Sequence, residues 1–346
     1  MSPMIIIPAK AIEKTYVMTE KIKEKTPAIS ILVPCCNVEK YLTECLDSIV
    51  RQSFEDIEII CLNDGSKDHT LDIIKEFAAK DSRIVVVDKP NSGYGATMNI
   101  GLGLARGKYV GIIESDDYIE PDMFMHMYEA AEKNNLDYTR CLFREINEVT
   151  GSEEEVNFES MGLYECEKVF RPRDQKYIFY IQPSIWAGLY RREMLEKNGI
   201  RFLETPGASY QDTSFAFKVY TATERMMVLR EYLHNYRINP NSSVSSTGKV
   251  FCVCDEEAEI RRFAKERHLF NELKGIMAMR AFGSYKWNYK RLAYKQKREF
   301  IKEWAKEAKQ WFEEGAATKE YFSTSRLVRL WLVAHCPNIY YFSKQI

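Results

Sequence analysis

The chain has 346 residues, with 49 Lys and Arg against 50 Asp and Glu, so its formal charge is −1. An apolar content of 45% supplies a sizeable core and excludes a disordered chain. The balanced charge argues against a nucleic-acid partner, no run of about 18 apolar residues offers a transmembrane helix, and nine cysteines without C-x-x-C spacing offer neither a zinc ribbon nor a disulfide framework.

Residues 1–27 read as a leader that packs on or extends from the first domain. Met4 to Ile7 is apolar, but Pro8 and Lys10 end it before a signal-peptide core of about 7–15 residues can form. From there strands and helices alternate. Ile29–Val33 reads as a buried strand and Glu39–Gln52 as a helix with Tyr41, Leu42, Cys45, Leu46, Ile49 and Val50 on one face. Ile57–Leu62, Ile84–Val87 and Tyr109–Ile113 read as further strands, with helices over Asp68–Lys80 and Ala96–Ala105 between them. Such alternation implies a parallel sheet with right-handed crossovers. After Asp137–Phe143 the pattern loosens, and residues 147–175 read as an insertion over one face. Ser184–Tyr190 reads as a strand, Tyr210–Thr221 as a helix, and Met226–Leu229 and Leu233–Arg237 as two short strands. Beyond Lys249 the chain reads as wholly helical.

In an open α/β sheet, ligands bind beyond the carboxyl ends of the strands. Here those ends read Pro34-Cys35-Cys36-Asn37, Asn63-Asp64-Gly65-Ser66, Lys89-Pro90-Asn91-Ser92-Gly93 and Glu114-Ser115-Asp116-Asp117, a polar edge rich in carboxylates. Adjacent carboxylates repel, and Mg2+ or Mn2+ held by one or two of them plus phosphate oxygens relieves this. The same acids could instead cap a helix that begins near Pro121. No G-x-G-x-x-G follows the first strand and no P-loop occurs, so those nucleotide-binding devices are excluded. His69 and His126 read as surface or cap residues.

The runs I-S-I-L-V-P-C-C-N-V-E-K-Y-L, E-I-I-C-L-N-D-G-S-K-D-H-T, N-S-G-Y-G-A-T-M-N and E-S-D-D-Y-I-x-P-D together resemble glycosyltransferase family 2. I-W-A-G-L-Y-R-R-E-M-L, Y-Q-D-T-S-F and Y-R-I-N-P-N-S-S-V-S continue the likeness to about residue 245. The resemblance implies an α/β GT-A fold, a mainly parallel sheet between helices. Three segments follow: the leader at 1–27, a GT-A domain at 28–245, and a helical C-terminal region at 246–346. It implies an inverting transfer from a UDP-sugar to a hydroxyl of a glycan or lipid-linked acceptor of a bacterial surface polymer. Asp64, in its turn with Gly65, would accept the imide N–H of uracil, with Pro34 and Asn37 flanking the base. Gly93 and Asn99 lie in the third motif. Ser115 and Asp116 belong to the Asp-x-Asp-type motif, in which Glu114 replaces the usual first Asp. Asp116, then Asp117, would hold Mn2+ or Mg2+.

Asp212, in the Gln211-Asp212 pair, matches the general base, although it could equally cap a helix. Two departures stand out. Cys36 occupies a frequently aromatic position, and Thr97-Met98-Asn99 replaces Ala-Arg-Asn, leaving Lys89 to serve in place of a phosphate-proximal Arg. Arg237 is a second candidate for the diphosphate, and Trp186 for a wall of the sugar site; an ion-pair partner and a core residue are the plainer readings.

Aromatics interleave the basic stretch Tyr285–Gln310, and Leu327–Val333 follows between arginines. These helices could lie on an anionic membrane at its inner, cytoplasmic face, form a homodimer, or simply pack together. A non-catalytic sugar-nucleotide-binding subunit is the alternative to an enzyme.

Overall fold

The computed structural model describes residues 4–6, 26–157, 166–238 and 250–343. Most of the leader (7–25), part of the expected insertion (158–165) and the end of the last motif (239–249) lie outside the described residues. The chain divides into two compact units, Met1–Ser242 and Ser243–Ile346.

The first unit begins with β1 (Met4–Ile6), β2 (Ile29–Cys35), α1 (Glu39–Val50), β3 (Ile57–Asp64), α2 (Thr70–Lys80), β4 (Ile84–Lys89), α3 (Tyr94–Leu104) and β5 (Tyr109–Ile112). It continues through β6 (Tyr118–Ile119), α4 (Met123–Asn134), β7 (Tyr138–Asn147), β8 (Glu153–Val156), β9 (Gly188–Arg191), α5 (Arg192–Lys197), α6 (Gln211–Ala222) and β10 (Met226–Ile238). The ten strands form one sheet in the order β1-β4-β3-β2-β5-β9-β7-β10-β6, with β8 paired to β7. Strands β1 to β5 run parallel, so the ends of β2, β3, β4 and β5 share one edge. Every residue of β2 and β3 is buried, as expected of strands covered on both faces. Leu42, Cys45, Leu46 and Ile49 of α1 are buried at the spacing read from the sequence.

Several elements differ from expectation. Met4–Ile6 adds a parallel edge strand beside β4. The expected strand at Ser184 starts only at Gly188, because Ile185–Ala187 forms a 3-10 turn. The two short strands near the end are one 13-residue strand, β10, whose register slips against β7 between Val228 and Tyr232 and again before His234. These irregularities carry the polar Arg230-Glu231 run that interrupts the apolar pattern. The expected insertion is partly sheet: β8 returns antiparallel on β7 through a turn in which Gly151 N–H donates to Asn147 O at 2.8 Å. Helix α4 starts two residues after Pro121, where the sequence offered a helix start as the alternative reading of the preceding acids.

The second unit is helical throughout its described residues: α7 (Cys252–Glu266), α8 (Phe270–Arg291), α9 (Tyr294–Glu313), α10 (Thr324–His335) and α11 (Pro337–Ser343). Most of the aromatics interleaved with its basic residues point inward. Tyr285, Tyr289, Phe300, Trp304 and Trp311 are buried and pack against one another, so they form this unit's core. No helix among the described residues is long and apolar enough to cross a membrane.

Candidate active site

The edge where β2 to β5 end carries two polar centres. The first is built on Asp64, the last residue of β3. Its Oδ1 accepts from Ser92 N–H (2.8 Å) and from the Lys89 ammonium, and its Oδ2 accepts from Gly93 N–H (3.1 Å). A carboxylate has about four acceptor positions, so one remains for a ligand donor. Two glycines make this centre possible. Gly65 has φ +65° and a Cβ there would meet Asn91 N at 2.6 Å; Gly93 has φ +89° and a Cβ there would meet Gly207 N at 2.8 Å. Asn37, at φ 54°, closes the turn from the β2 side. Its N–H donates to Ser66 Oγ (3.0 Å), and its Oδ1 accepts from Lys67 N–H (2.8 Å). Pro34 is buried within β2 opposite Leu62, while Cys36 and Asn37 are exposed beside the turn.

Lys89 does not reach outward as expected. It is buried, and its ammonium donates to Asp64, to Ser92 Oγ (2.7 Å) and to Pro90 O (3.4 Å), which uses all three of its N–H groups. Asn99 is likewise engaged. It donates to Phe202 O (3.0 Å) and Glu204 Oε1 (2.8 Å) and accepts from Phe202 N–H, which ties α3 to the segment leading to α6.

The second centre follows β5. Glu114 is half-buried, and Tyr94 Oη donates to its Oε1 at 2.5 Å. Burial, and the nearby charges of Asp116, Asp117 and Asp212, raise the Glu114 carboxyl to about 8 against the Tyr94 hydrogen bond. The loop after β5 and the start of α6 thus bring their carboxylates into one field, although about 95 residues separate them along the chain. Ser115 is buried, whereas Asp116 and Asp212 are half-exposed. Asp212 sits in the first turn of α6. The preceding residue, Gln211, is buried and donates to Thr205 Oγ1 (2.9 Å) and Gly207 O (3.1 Å). Tyr94 N–H also donates to Gly207 O (3.0 Å), so the Gly93 loop and the segment before Asp212 are joined through their backbones.

Asp117 differs from its expected role as a metal ligand. Its side chain is fully buried, Oδ1 accepts from Arg237 N–H (2.8 Å), and Oδ2 lies 2.9 Å from His234 Nε2. Burial raises Asp117 to about 8 and lowers His234 to about 3, which pushes each toward its neutral form. A carboxyl so enclosed is a poor cation ligand. Arg237 is turned away from a diphosphate role as well. Its Nε donates to Asp116 O (2.8 Å), its terminal nitrogens pair with Glu44 (2.7 Å) and Glu148 (3.1 Å), and its guanidinium lies over the rings of Tyr41 and Tyr118. Trp186 is buried in a stack with Tyr236 (centroids 5.0 Å apart) and His234 (4.2 Å), the plainer of its two readings.

Among the described residues, no three His, Cys, Asp or Glu side chains gather as a metal site. The donor set fits a cation shared with a bound anion: Asp116 can supply one carboxylate, next to a Glu114 that burial, and then its negative neighbours, push toward protonation. Sequence reasoning did not single out Tyr94, which lies between two glycines of N-S-G-Y-G, or His234, a lone histidine within an apolar strand.

Comparison with known proteins bears on the fold and the family. The family model for glycosyl transferase family 2 matches residues 30–199. The uncharacterized glycosyltransferase EpsJ of Bacillus subtilis is 35% identical over 220 residues. That match covers 62% of this chain, and the chain spans 62% of that relative's length. In structure, residues 1–349 of TarS from S. aureus, in complex with UDP-GlcNAc, superpose with a TM-score of 0.73 at 20% identity, covering 92% of this chain and 90% of that one. The mannosyltransferase PcManGT from Pyrobaculum calidifontis, in complex with GDP-Man and Mn2+, gives a TM-score of 0.50 at 16% identity over 92% of this chain and 87% of that one. The mixed sheet flanked by helices is the GT-A architecture, and residues 30–199 match the model of glycosyl transferase family 2.

Proposed function

We propose that the chain is an inverting glycosyltransferase that moves a sugar from a UDP-sugar to a hydroxyl of a glycan or lipid-linked saccharide of a bacterial surface polymer, with Asp212 as general base. The observation that carries this reading is the shared field of Glu114, Asp116 and Asp212 at the carboxyl edge of the sheet, beside the Asp64 turn. The UDP-GlcNAc complex of fold-related TarS supports the choice of donor.

In this reading the free acceptor position of Asp64 takes the imide N–H of uracil, and the Asn37 turn borders the base. The acceptor oxygen attacks the anomeric carbon from the face opposite the diphosphate. As the new C–O bond forms, the bond to the diphosphate breaks and its electron pair leaves with UDP. A hydroxyl is too weakly acidic to attack as an alkoxide at pH 7, so Asp212 takes its proton as attack proceeds. Asp116 would hold Mn2+ or Mg2+ together with the diphosphate oxygens, and the ion supplies positive charge against the leaving group. Tyr94 holds Glu114 in place next to that position. The reaction belongs in the cytoplasm, where the thiols of Cys35, Cys45, Cys61 and Cys141 stay reduced in the core.

The test is Asp212→Asn assayed against a panel of UDP-sugars and acceptors. Loss of the base is expected to lower kcat by about 10²–10⁴-fold while UDP still raises the melting temperature as in the parent. A variant with parental turnover would remove Asp212 from the chemistry. A parent that binds UDP and turns over no UDP-sugar would leave a binding subunit.

A further inference from the structure

The helical unit presents an outward surface that its own packing does not use. Residues 243–346 hold 20 Lys and Arg against 12 Asp and Glu, in a chain whose total charge is −1. On α9 the exposed Lys295, Arg298, Lys302, Lys306 and Lys309 recur every three or four residues, which places them in one stripe. Three acids lie close by: Glu299 within the stripe, Glu303, which pairs with Lys306 at 2.6 Å, and exposed Glu313, one turn past Lys309. Three residues beyond Lys309, Phe312 lines a groove of about 280 Å³ together with Ala317, Leu327, Val328 and Trp331. Val328 is 53% exposed and Trp331 48%. Helix α10 therefore turns Leu330, Val333 and Ala334 to the core and a second apolar face to water, with Arg329 exposed at its flank.

We infer that this face is a docking surface for an anionic lipid bilayer. An apolar patch that opens beside a cationic stripe is costly to leave in water and is rewarded by an interface that takes both. Acyl chains accept the aliphatic and indole surface of Val328 and Trp331, and lipid phosphates accept the lysine stripe. Tryptophan suits the headgroup level, where its ring is buried and its N–H stays wet. A nucleic acid would satisfy the stripe and leave Leu327 and Val328 exposed, so the aliphatic groove favours lipid. The inference is independent of the transferase reading, because it uses no residue of the strand-end site.

The test is co-sedimentation of the full chain with vesicles of phosphatidylcholine alone and of phosphatidylcholine with phosphatidylglycerol. Binding to the anionic vesicles is expected, weakened by salt. It should fall about tenfold or more in Val328→Ser/Trp331→Ser, and about fivefold for each lysine removed in Lys302→Ala/Lys306→Ala. All four positions are exposed, so the melting temperature should stay at the parental value. Equal binding to both vesicles, no binding, or parental binding by the serine variant would overturn the inference. So would a concentration-dependent dimer that only the serine variant loses, or binding to an oligonucleotide with none to vesicles.

Discussion

Two carboxylate centres at one sheet edge solve the same electrostatic problem differently. At Asp64 the protein supplies the counter-charge itself: Lys89 is enclosed beside the carboxylate, and two backbone N–H groups donate to it as well. After β5 the carboxylates of Glu114, Asp116 and Asp212 share a field, and the nearest arginine spends its terminal nitrogens on Glu44 and Glu148. The first centre has its charge balanced as folded. The second carries excess negative charge, which protonation relieves in the free chain and which a cation with a bound diphosphate would relieve in a complex. The difference separates a carboxylate whose charge is met within the fold from carboxylates whose charge is not.

The comparison can be broken most sharply at Lys89. Lys89→Met leaves the Asp64 carboxylate buried without its cation and should cost about 3–5 kcal/mol, read from urea denaturation. Adding Asp64→Leu should recover much of that loss, since the buried charge is then gone. A Lys89→Met chain of parental stability would mean that the ion pair does not organise the turn. Gly65→Ala tests the same turn through its backbone. With φ +65° and Asn91 N at 2.6 Å from the new Cβ, a loss of about 1–3 kcal/mol is expected.

Glu257 in the helical unit sharpens the comparison, because it has a cation partner and is still raised. It pairs with Arg280, yet burial lifts its carboxyl to about 7 from the ordinary 4.5. The folded state then holds a proton that the unfolded chain has released. Its contribution to stability is therefore present below about 4.5 and lost as pH rises to about 7. Glu257→Gln should flatten that part of the stability–pH curve, which denaturation at a series of pH values would reveal. A curve of unchanged slope would place the titration elsewhere.

Much of this architecture is legible in the sequence because it follows from local pattern. Fully apolar runs such as Ile29–Val33 and Ile57–Leu62 have few options other than buried parallel strands. Helix α4 was legible only as an alternative start near Pro121: its Met, His and Tyr residues give a weak apolar face, and the Ser-Asp-Asp motif before it invites a chemical reading. Strand β10 was read as two because Arg230 and Glu231 bulge out of the ladder. At the site, the strand-end motifs show where polar groups gather. They do not show which cation meets which carboxylate, because partner choice is tertiary. Lys89 and Arg237 read as phosphate ligands from residue type alone. Only the fold shows that one is enclosed with Asp64 and the other clamped between Tyr41 and Tyr118. Asp116 and Asp117 are neighbours in sequence with opposite surroundings, and alternation across the turn conceals this until His234 is placed.

That last contrast supplies the most direct test. UDP-induced stabilisation should be measured with Mn2+, with Mg2+ and with chelator for the parent, Asp116→Asn and Asp117→Asn. A ligand at about 100 times its Kd stabilises by about 2.7 kcal/mol, a readily visible melting shift. The account expects a metal-dependent shift in the parent, its loss in Asp116→Asn, and its retention in Asp117→Asn from a lower starting melting temperature. A shift indifferent to metal, or one lost in Asp117→Asn and kept in Asp116→Asn, would contradict it.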